Sequence, residues 1–563
     1  MQNSCDLVIK NGSVVIPKVG IVNTNIMIEN GKIKDLSKSL NNISYSKSID
    51  ATGKYILPGL IDPHVHYGVY TPIEKAARTE SKSAAIGGIT TMIRMLRLYS
   101  NYQHNIENQI NTSKKNHIVD FTIHPSILIN QHLDDISCLV NNIGINSFKV
   151  YMNLGSNLNN IHMDLNPNEK EIRSGKVKVT DDFLEKIVKI TSSFNGMLLV
   201  HAEDPEICYT EIKKEIIDKD KGKNINKNKQ NNSTLENNEE EDFVRSRINQ
   251  SIIGESINKK EEDSNFQSKR KIDTNINNNK KIIRKIKKDI DKKQHNKEEE
   301  EKKENQILVE EENLLKLWSR CRPTQAEVKS IKKVAELGRK YNSNIYFVHI
   351  GSSAAIDAII HEKEQGKCNL YIETCPHYLT HTYDFNDLRG KVVPPLRSKH
   401  DVQSVWYALK NGIIDTIGTD HVANKLSIKL NPDGDLLETL SGFPGIATML
   451  PVLLSEGVNK GRINLERVAE VTSYNTSRIF GLYPQKGSIE KDSDADLVIV
   501  DLNVTKKVTP DLLKSYSDYT IYDGWNLSGW PIATIVRGNV VMENFIVDET
   551  FYGYGKFLPR FKS

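Results

Sequence analysis

The sequence predicts an α/β fold, a (β/α)8 TIM barrel carrying a small β-sandwich domain built from both chain ends. Two observations lead there. Between residues 55 and 421, eight short apolar, β-rich runs alternate with longer helical patterns, and eight alternating units are the period of that barrel. Outside this stretch, residues 1–54 and 487–548 show strand alternation with Asn-Gly turns (DLVIKNGSVV, NIMIENGKI, ADLVIVDLN, IATIVRGNVV), the pattern of hairpins whose two groups must pair with each other to bury a face.

The eight runs are YILPGLIDPHVH (55–66), TTMIRM (90–95), DFTIHP (120–125), SFKVYMN (147–153), MLLVHAE (197–203), NIYFVHIG (344–351), NLYIETCP (369–376) and DTIGTDH (415–421). Stretches such as EKAARTESKSAAIG, DDFLEKIVKITSSF, TQAEVKSIKKVAELGRKY and KHDVQSVWYALKNG have helical spacing and connect them. The barrel is assigned to 55–486. It is interrupted by an Asn/Lys/Glu tract at 213–313 with only Phe243 and Phe266 as aromatics, too poor in apolar side chains to offset its ordering entropy. This tract reads as a disordered insertion. Its KKIIRKIKKDI piece could form a basic helix, but glutamates dilute the charge.

Composition narrows the function. The 563 residues are 38% hydrophobic and 26% charged, with a net charge of +4, and the basic charge is concentrated in the tract rather than on a folded face, so no nucleic-acid partner is expected. No apolar run reaches the roughly 20 residues that span a bilayer, and the N-terminus lacks a leader pattern. The expectation is a soluble, cytoplasmic protein without a membrane partner. Six scattered cysteines with no CxxC pair point to reduced thiols rather than disulfides or a thiolate site.

Catalytic groups of such a barrel project from the C-terminal strand ends. His64 and His66 close the first strand, where alternation puts both imidazoles on one face, able to grip one cation. His201 closes the fifth strand, His349 the sixth and Asp420 the eighth. Each alone would be an ordinary buried or loop residue; together they read as a metal site. Lys149 sits inside the apolar run SFKVYM, where an unpaired ammonium would be costly. Three readings fit: a snorkelling lysine, a buried ion pair, or an amine whose lowered pKa lets it add carbon dioxide, giving a two-oxygen carbamate ligand between two metals.

Taken in order, Gly59 to His66, Phe148-Lys149, His201-Ala202-Glu203, Val348-His349, Glu373 to Tyr378, Pro394 to Arg397, Gly418 to His421, Ser441 to Gly445, Gly481 to Gly487 and Ser493 to Leu497 resemble the cyclic-amidohydrolase branch of the amidohydrolase superfamily: hydantoinases, dihydropyrimidinases, allantoinases and dihydroorotases. The resemblance runs from about residue 4 to 545, broken only by the insertion. It implies a zinc-dependent hydrolase that opens a cyclic amide ring of hydantoin or dihydropyrimidine type by a hydroxide on two zinc ions. It places His64, His66 and Asp420 on one ion, His201 and His349 on the other, carboxylated Lys149 between them, and Asp420 as the proton carrier. It also implies a homo-oligomer, dimer or tetramer. A catalytically silent family member acting as a scaffold is the reading from another class; such relatives tend to lose metal ligands, and none is lost here.

Substrate choice rests on departures from the family. Dihydroorotases follow the HxH pair with an aromatic residue and a carboxylate-binding arginine, whereas this chain reads Tyr67-Gly68. Where they place an asparagine after the second strand, this chain has Arg97, a candidate partner for a substrate carboxylate from another direction and the basis of the dihydroorotase alternative; allantoinase stays open. The tyrosine that hydantoinases carry five residues after the lysine is Leu154 here, and Tyr151, on the lysine's own strand face, is a candidate substitute. Val393 and Gly442 lie in loops expected to offer backbone hydrogen bonds to the ring. The tail DYTIYDG with GWP favours the hydantoinase side, and with Gly68 supplying no charge, neutral rings are expected to be turned over faster than dihydroorotate.

Overall fold

The computed structural model describes residues 3–155, 157–217, 313–430 and 435–560. Nearly all of the 213–313 tract lies outside these residues; its first five residues, Lys213–Ile217, continue the preceding helix.

The N-terminal segment supplies β1 (Asn3–Ile16), β2 (Gly20–Glu29), β3 (Lys32–Ser37), β4 (Ile43–Asp50) and β5 (Tyr55–Pro58). Asn30 and Gly31, at φ 54° and 75°, make the tight turn between β2 and β3 that the Asn-Gly pair predicts. Next come β6 (Leu60–His66), β7 (Ile89–Leu96), β8 (Asp120–Pro125) and β9 (Ser147–Tyr151), the hairpin β10 (Asn160–Met163) and β11 (Arg173–Lys176), then β12 (Met197–His201), β13 (Asn344–Phe347), β14 (Asn369–Thr374), β15 (Thr416–Ile417) and β16 (His421–Val422). β17 (Leu497–Lys507), β18 (Asn526–Val536), β19 (Asn539–Glu543) and β20 (Ile546–Val547) close the chain.

Strands from both chain ends form one nine-stranded sheet in the order β20-β19-β18-β17-β5-β1-β2-β3, with β4 on β1. The predicted strand 55–66 is thus two strands. β5 joins the terminal sheet between β1 and β17, and β6 begins the next. The break falls at Gly59, where a Cβ would lie 2.2 Å from Thr90 Oγ1, so only glycine lets the backbone cross there.

Apart from the antiparallel β10-β11 hairpin, the other strands make two all-parallel sheets, β16-β6-β7-β8 and β15-β14-β13-β12-β9. A single parallel bridge, Ser126 to Lys149, links β8 to β9, and the three residues Gly418 to Asp420 carry the chain from β15 to β16. Side chains from both sheets meet in one apolar cluster that includes Ile61, Ile93, Leu199 and Tyr346, joined by Phe480 and Leu558. The opposite faces pack on helices such as Ile73–Ile86, Asp181–Ser193, Thr324–Tyr341 and Lys399–Lys410, each close to its predicted stretch. Thr180 caps the second of these, and Ser398 with Asp401 forms a capping box on the last. Among the described residues, no helix is long and apolar enough to cross a membrane.

Candidate active site

The strand ends carry the predicted residues to one place. His64 and His66, two apart on β6, present Nε2 atoms 3.3 Å from each other, and Asp420 Oδ1 stands 3.2 and 3.3 Å from them. These three buried groups could hold a metal ion. His349 packs across the gap, its ring 5.5 Å from that of His64 and 4.5 Å from that of His201. His349 and Asp420 lie beyond the ends of β13 and β15 in the left-handed region, φ 45° and 49°, an expensive conformation for a non-glycine residue that here turns the ligand atom inward.

Two of the imidazoles, His64 and His201, are oriented from behind. Glu373 Oε1 lies 2.8 Å from His64 Nδ1 and accepts the His349 N–H at 3.1 Å, while Tyr346 donates to Oε2 at 2.9 Å. Glu203 Oε2 holds His201 Nε2 at 2.6 Å, and the Glu203 carboxylate is itself gripped by Arg322, Nε donating to Oε1 at 3.0 Å and Nη2 to Oε2 at 2.9 Å. With one ring nitrogen so engaged, the other is left for a metal. Asp62 accepts from the Thr419 hydroxyl at 2.6 Å and from the Thr419 and His64 amides, fixing the two strand ends that bear the cluster.

Burial sets the protonation. It pushes the His64 imidazole down to about 3 and those of His66 and His349 well below the ordinary value, so each is neutral with a lone pair free. Burial would raise Glu203, but Arg322 and His201 outweigh it and hold the carboxyl at about 2. Lys149 is fully buried, its Nζ makes no hydrogen bond, and burial lowers its ammonium to about 7. Neither a snorkelling lysine nor a hydrogen-bonded ion pair looks like this.

A cavity of about 260 Å³ opens above the cluster. Arg97, Tyr151, Val393 and Gly442 all line it. The Tyr151 hydroxyl is buried without a partner. Gly442 turns its backbone elsewhere: its N–H donates to the Lys391 carbonyl at 3.0 Å and its carbonyl accepts from Lys429 at 2.7 Å. Ser441, beside it, also lines the cavity, and its N–H and carbonyl have no partner among the described residues. Arg97 packs against Asp164, which follows β10; Nε to Oδ2 is 3.6 Å, and the same carboxylate takes Arg94 at 2.6 Å. The hairpin is pinned over β7 in this way and brings Asn160, Ile161 and His162 to the cavity. Sequence reasoning missed these, together with Tyr70, Trp318, Arg322 and Lys391. A four-residue strand such as Arg173–Lys176, largely exposed, leaves no periodic signal.

The comparisons with known proteins agree with this geometry. Residues 291–541 match the amidohydrolase family. The L-hydantoinase of Paenarthrobacter aurescens is 26% identical over 99% of this chain and 98% of its own length, and a D-phenylhydantoinase of Escherichia coli is 24% identical over 98% of each. Among solved structures, the L-hydantoinase (dihydropyrimidinase) from Arthrobacter aurescens superposes with a TM-score of 0.72 at 24% identity, covering 99% of this chain and 100% of that one. The dihydropyrimidinase from Brevibacillus agri gives 0.71 at 23%, with 98% of each covered. With its strand-end histidines, Asp420 and Lys149 brought together, the chain is similar over nearly its whole length to hydantoinases and dihydropyrimidinases.

Proposed function

We propose that this protein hydrolyses a cyclic amide ring of hydantoin or dihydropyrimidine type, using two divalent ions, zinc by resemblance, at the mouth of a closed (β/α)8 barrel formed by the two parallel sheets. The observation that carries this reading is Lys149, a buried amine without a hydrogen-bond partner that lines the cavity together with His64, His66, His201, His349 and Asp420. A neutral amine there can add carbon dioxide: the N–C bond forms, one proton leaves, and a cation that would repel metal becomes a two-oxygen anion. His64, His66 and Asp420 would hold one ion, His201 and His349 the other, with the Lys149 carbamate serving both. Bound ions would acidify a water and polarise the ring carbonyl.

The protein's own groups do the rest. Asp420 accepts the proton of the attacking water and returns it to the ring nitrogen as the C–N bond breaks. The Tyr151 hydroxyl can donate to the carbonyl oxygen as its negative charge grows. The free N–H and carbonyl of Ser441 offer a donor and an acceptor to the ring amide, while Val393 and Gly442 shape the wall.

Elemental analysis, followed by turnover of hydantoin, dihydrouracil, allantoin and dihydroorotate, tests this. About two divalent ions per chain and ring opening are expected. Lys149→Ala should lose metal and turnover together, with short carboxylic acids restoring part of both; active protein free of metal would refute the reading, and inert metal-loaded protein would favour the scaffold reading.

One observation favours an acid-bearing ring such as dihydroorotate. Arg94 and Arg97 share the single carboxylate of Asp164, and Arg97 lines the cavity, so one positive charge is left over for an anion. Gly68 has no side chain to contribute, and a Cβ there would meet Arg94 Nη2 at 2.6 Å. If an acid is held, Arg97→Met should lower the ratio of dihydroorotate to dihydrouracil turnover at least tenfold, on the order expected for an unpaired carboxylate.

A further inference from the structure

Two lysines that sequence reasoning passed over hold the carbonyls of the cavity wall, Lys391 from the lining itself and Lys429 from behind it. Lys391 and Lys429 are 3% and 0% exposed. Lys391 Nζ donates to the carbonyls of Leu436 at 2.6 Å, Leu437 at 3.3 Å and Thr439. Lys429 Nζ donates to the carbonyls of Lys391 at 3.0 Å, Leu440 at 2.8 Å and Gly442 at 2.7 Å. An ammonium has three N–H bonds, so both sets are used, and every acceptor is main chain. The backbone closes the same unit: the Leu440 N–H donates to the Lys429 carbonyl at 2.9 Å and the Gly442 N–H to the Lys391 carbonyl at 3.0 Å. The Trp318 ring lies 4.4 Å from Lys391 Nζ, and its own Nε1 donates to the Val392 carbonyl at 2.9 Å.

Keeping two ammonium groups dry is costly, and burial pulls Lys391 down to about 7 and Lys429 well below its ordinary value. Apolar side chains of that length would fill the space without the desolvation cost. What they could not do is fix where carbonyls point. Of the peptide groups from Thr439 to Gly442, the carbonyls of Thr439, Leu440 and Gly442 are turned to the lysines. The Ser441 N–H and carbonyl alone in this run make no hydrogen bond within the described residues, and Ser441 faces the cavity.

We propose that Lys391 and Lys429 are positioning residues for the ring: by drawing the carbonyls of the 436–442 wall onto two ammonium groups, they leave the Ser441 peptide as the donor and acceptor presented to the substrate amide. This rests on the cyclic-amide reading of the cavity. Neither lysine touches the metal cluster, so the effect belongs to ring binding rather than to bond breaking.

The test is steady-state kinetics of Lys429→Met and Lys391→Met in metal-loaded protein, with amide hydrogen exchange across 436–443. A rise in KM of about 10- to 100-fold, kcat within about threefold and unchanged metal content are expected, the size following from a buried amide left without its partner. Lys429→Ala should regain part of its KM with methylammonium chloride but not with sodium chloride, a rescue that also serves if the Met variants fold poorly. A fall in Tm with KM unmoved, or a loss of kcat together with metal, would overturn the proposal. If the wild-type protein opens no ring, the functional reading fails by itself, and exchange decides here: faster exchange confined to 436–443 in a variant sustains the positioning role, and unchanged exchange removes it.

Discussion

Arg322 never reaches the proposed metal ligands, yet it fixes the partner of one of them. Two hydrogen bonds from its guanidinium hold Glu203, and Glu203 holds His201 Nε2. Arg322→Met would leave a buried, unpaired carboxylate, a loss of about 3–5 kcal/mol, readable by denaturant unfolding. It should also release the ion on the His201 and His349 side before the one on His64, His66 and Asp420, a difference that metal titration resolves. Sequence exposed the candidate ligands by their joint placement, histidines and an aspartate all at strand ends, and Lys149 because it interrupts an apolar run. Arg322 gives neither signal, and it lies 119 residues from Glu203. Lys391 and Lys429 were invisible for a further reason, since their partners are carbonyl oxygens, which every residue has.

Strand periodicity located the β-runs but not their breaks. The run at 415–421 is two short strands, β15 and β16, separated by Gly418 to Asp420, because the chain must bend there to bring Asp420 onto the histidines. Gly418 makes the bend possible: a Cβ would sit 2.7 Å from Glu373 Oε2 and 2.9 Å from His64 Cβ. Glu373 is held by Tyr346, His64 and the His349 amide and cannot give way. Gly418→Ala should therefore cost about 1–3 kcal/mol and weaken metal affinity at the His64 site, measured by unfolding and by competition with a chelator. Methyl-free contacts of this kind depend on neighbours remote in sequence, as at Gly59 and Thr90, and hydropathy patterns do not contain them.

At the scale of the molecule, the flanks of the long Asn/Lys/Glu tract are already side by side. Arg320 Nε reaches Glu215 Oε2 at 3.2 Å, and Ile212, Leu317 and Trp318 share one apolar cluster. Replacing residues 218–312 by a short glycine-serine linker should leave Tm within a few degrees and turnover within about twofold, because the entropy of closing a connection between two fixed ends changes only slowly with its length; an insoluble or inactive product would show that the tract is needed. The terminal sheet has a different dependence. β5 is hydrogen-bonded to β1 on one side and to β17 on the other, Leu57 facing Val498. As the chain emerges from the ribosome, β1 to β5 are complete while the partner for one edge of β5 is still to be translated. An apolar strand edge stays open for most of the synthesis, the period in which unpaired edges seed aggregation. Production of this protein should respond to the speed of translation and to chaperones that shelter nascent strands, even if the finished molecule is stable.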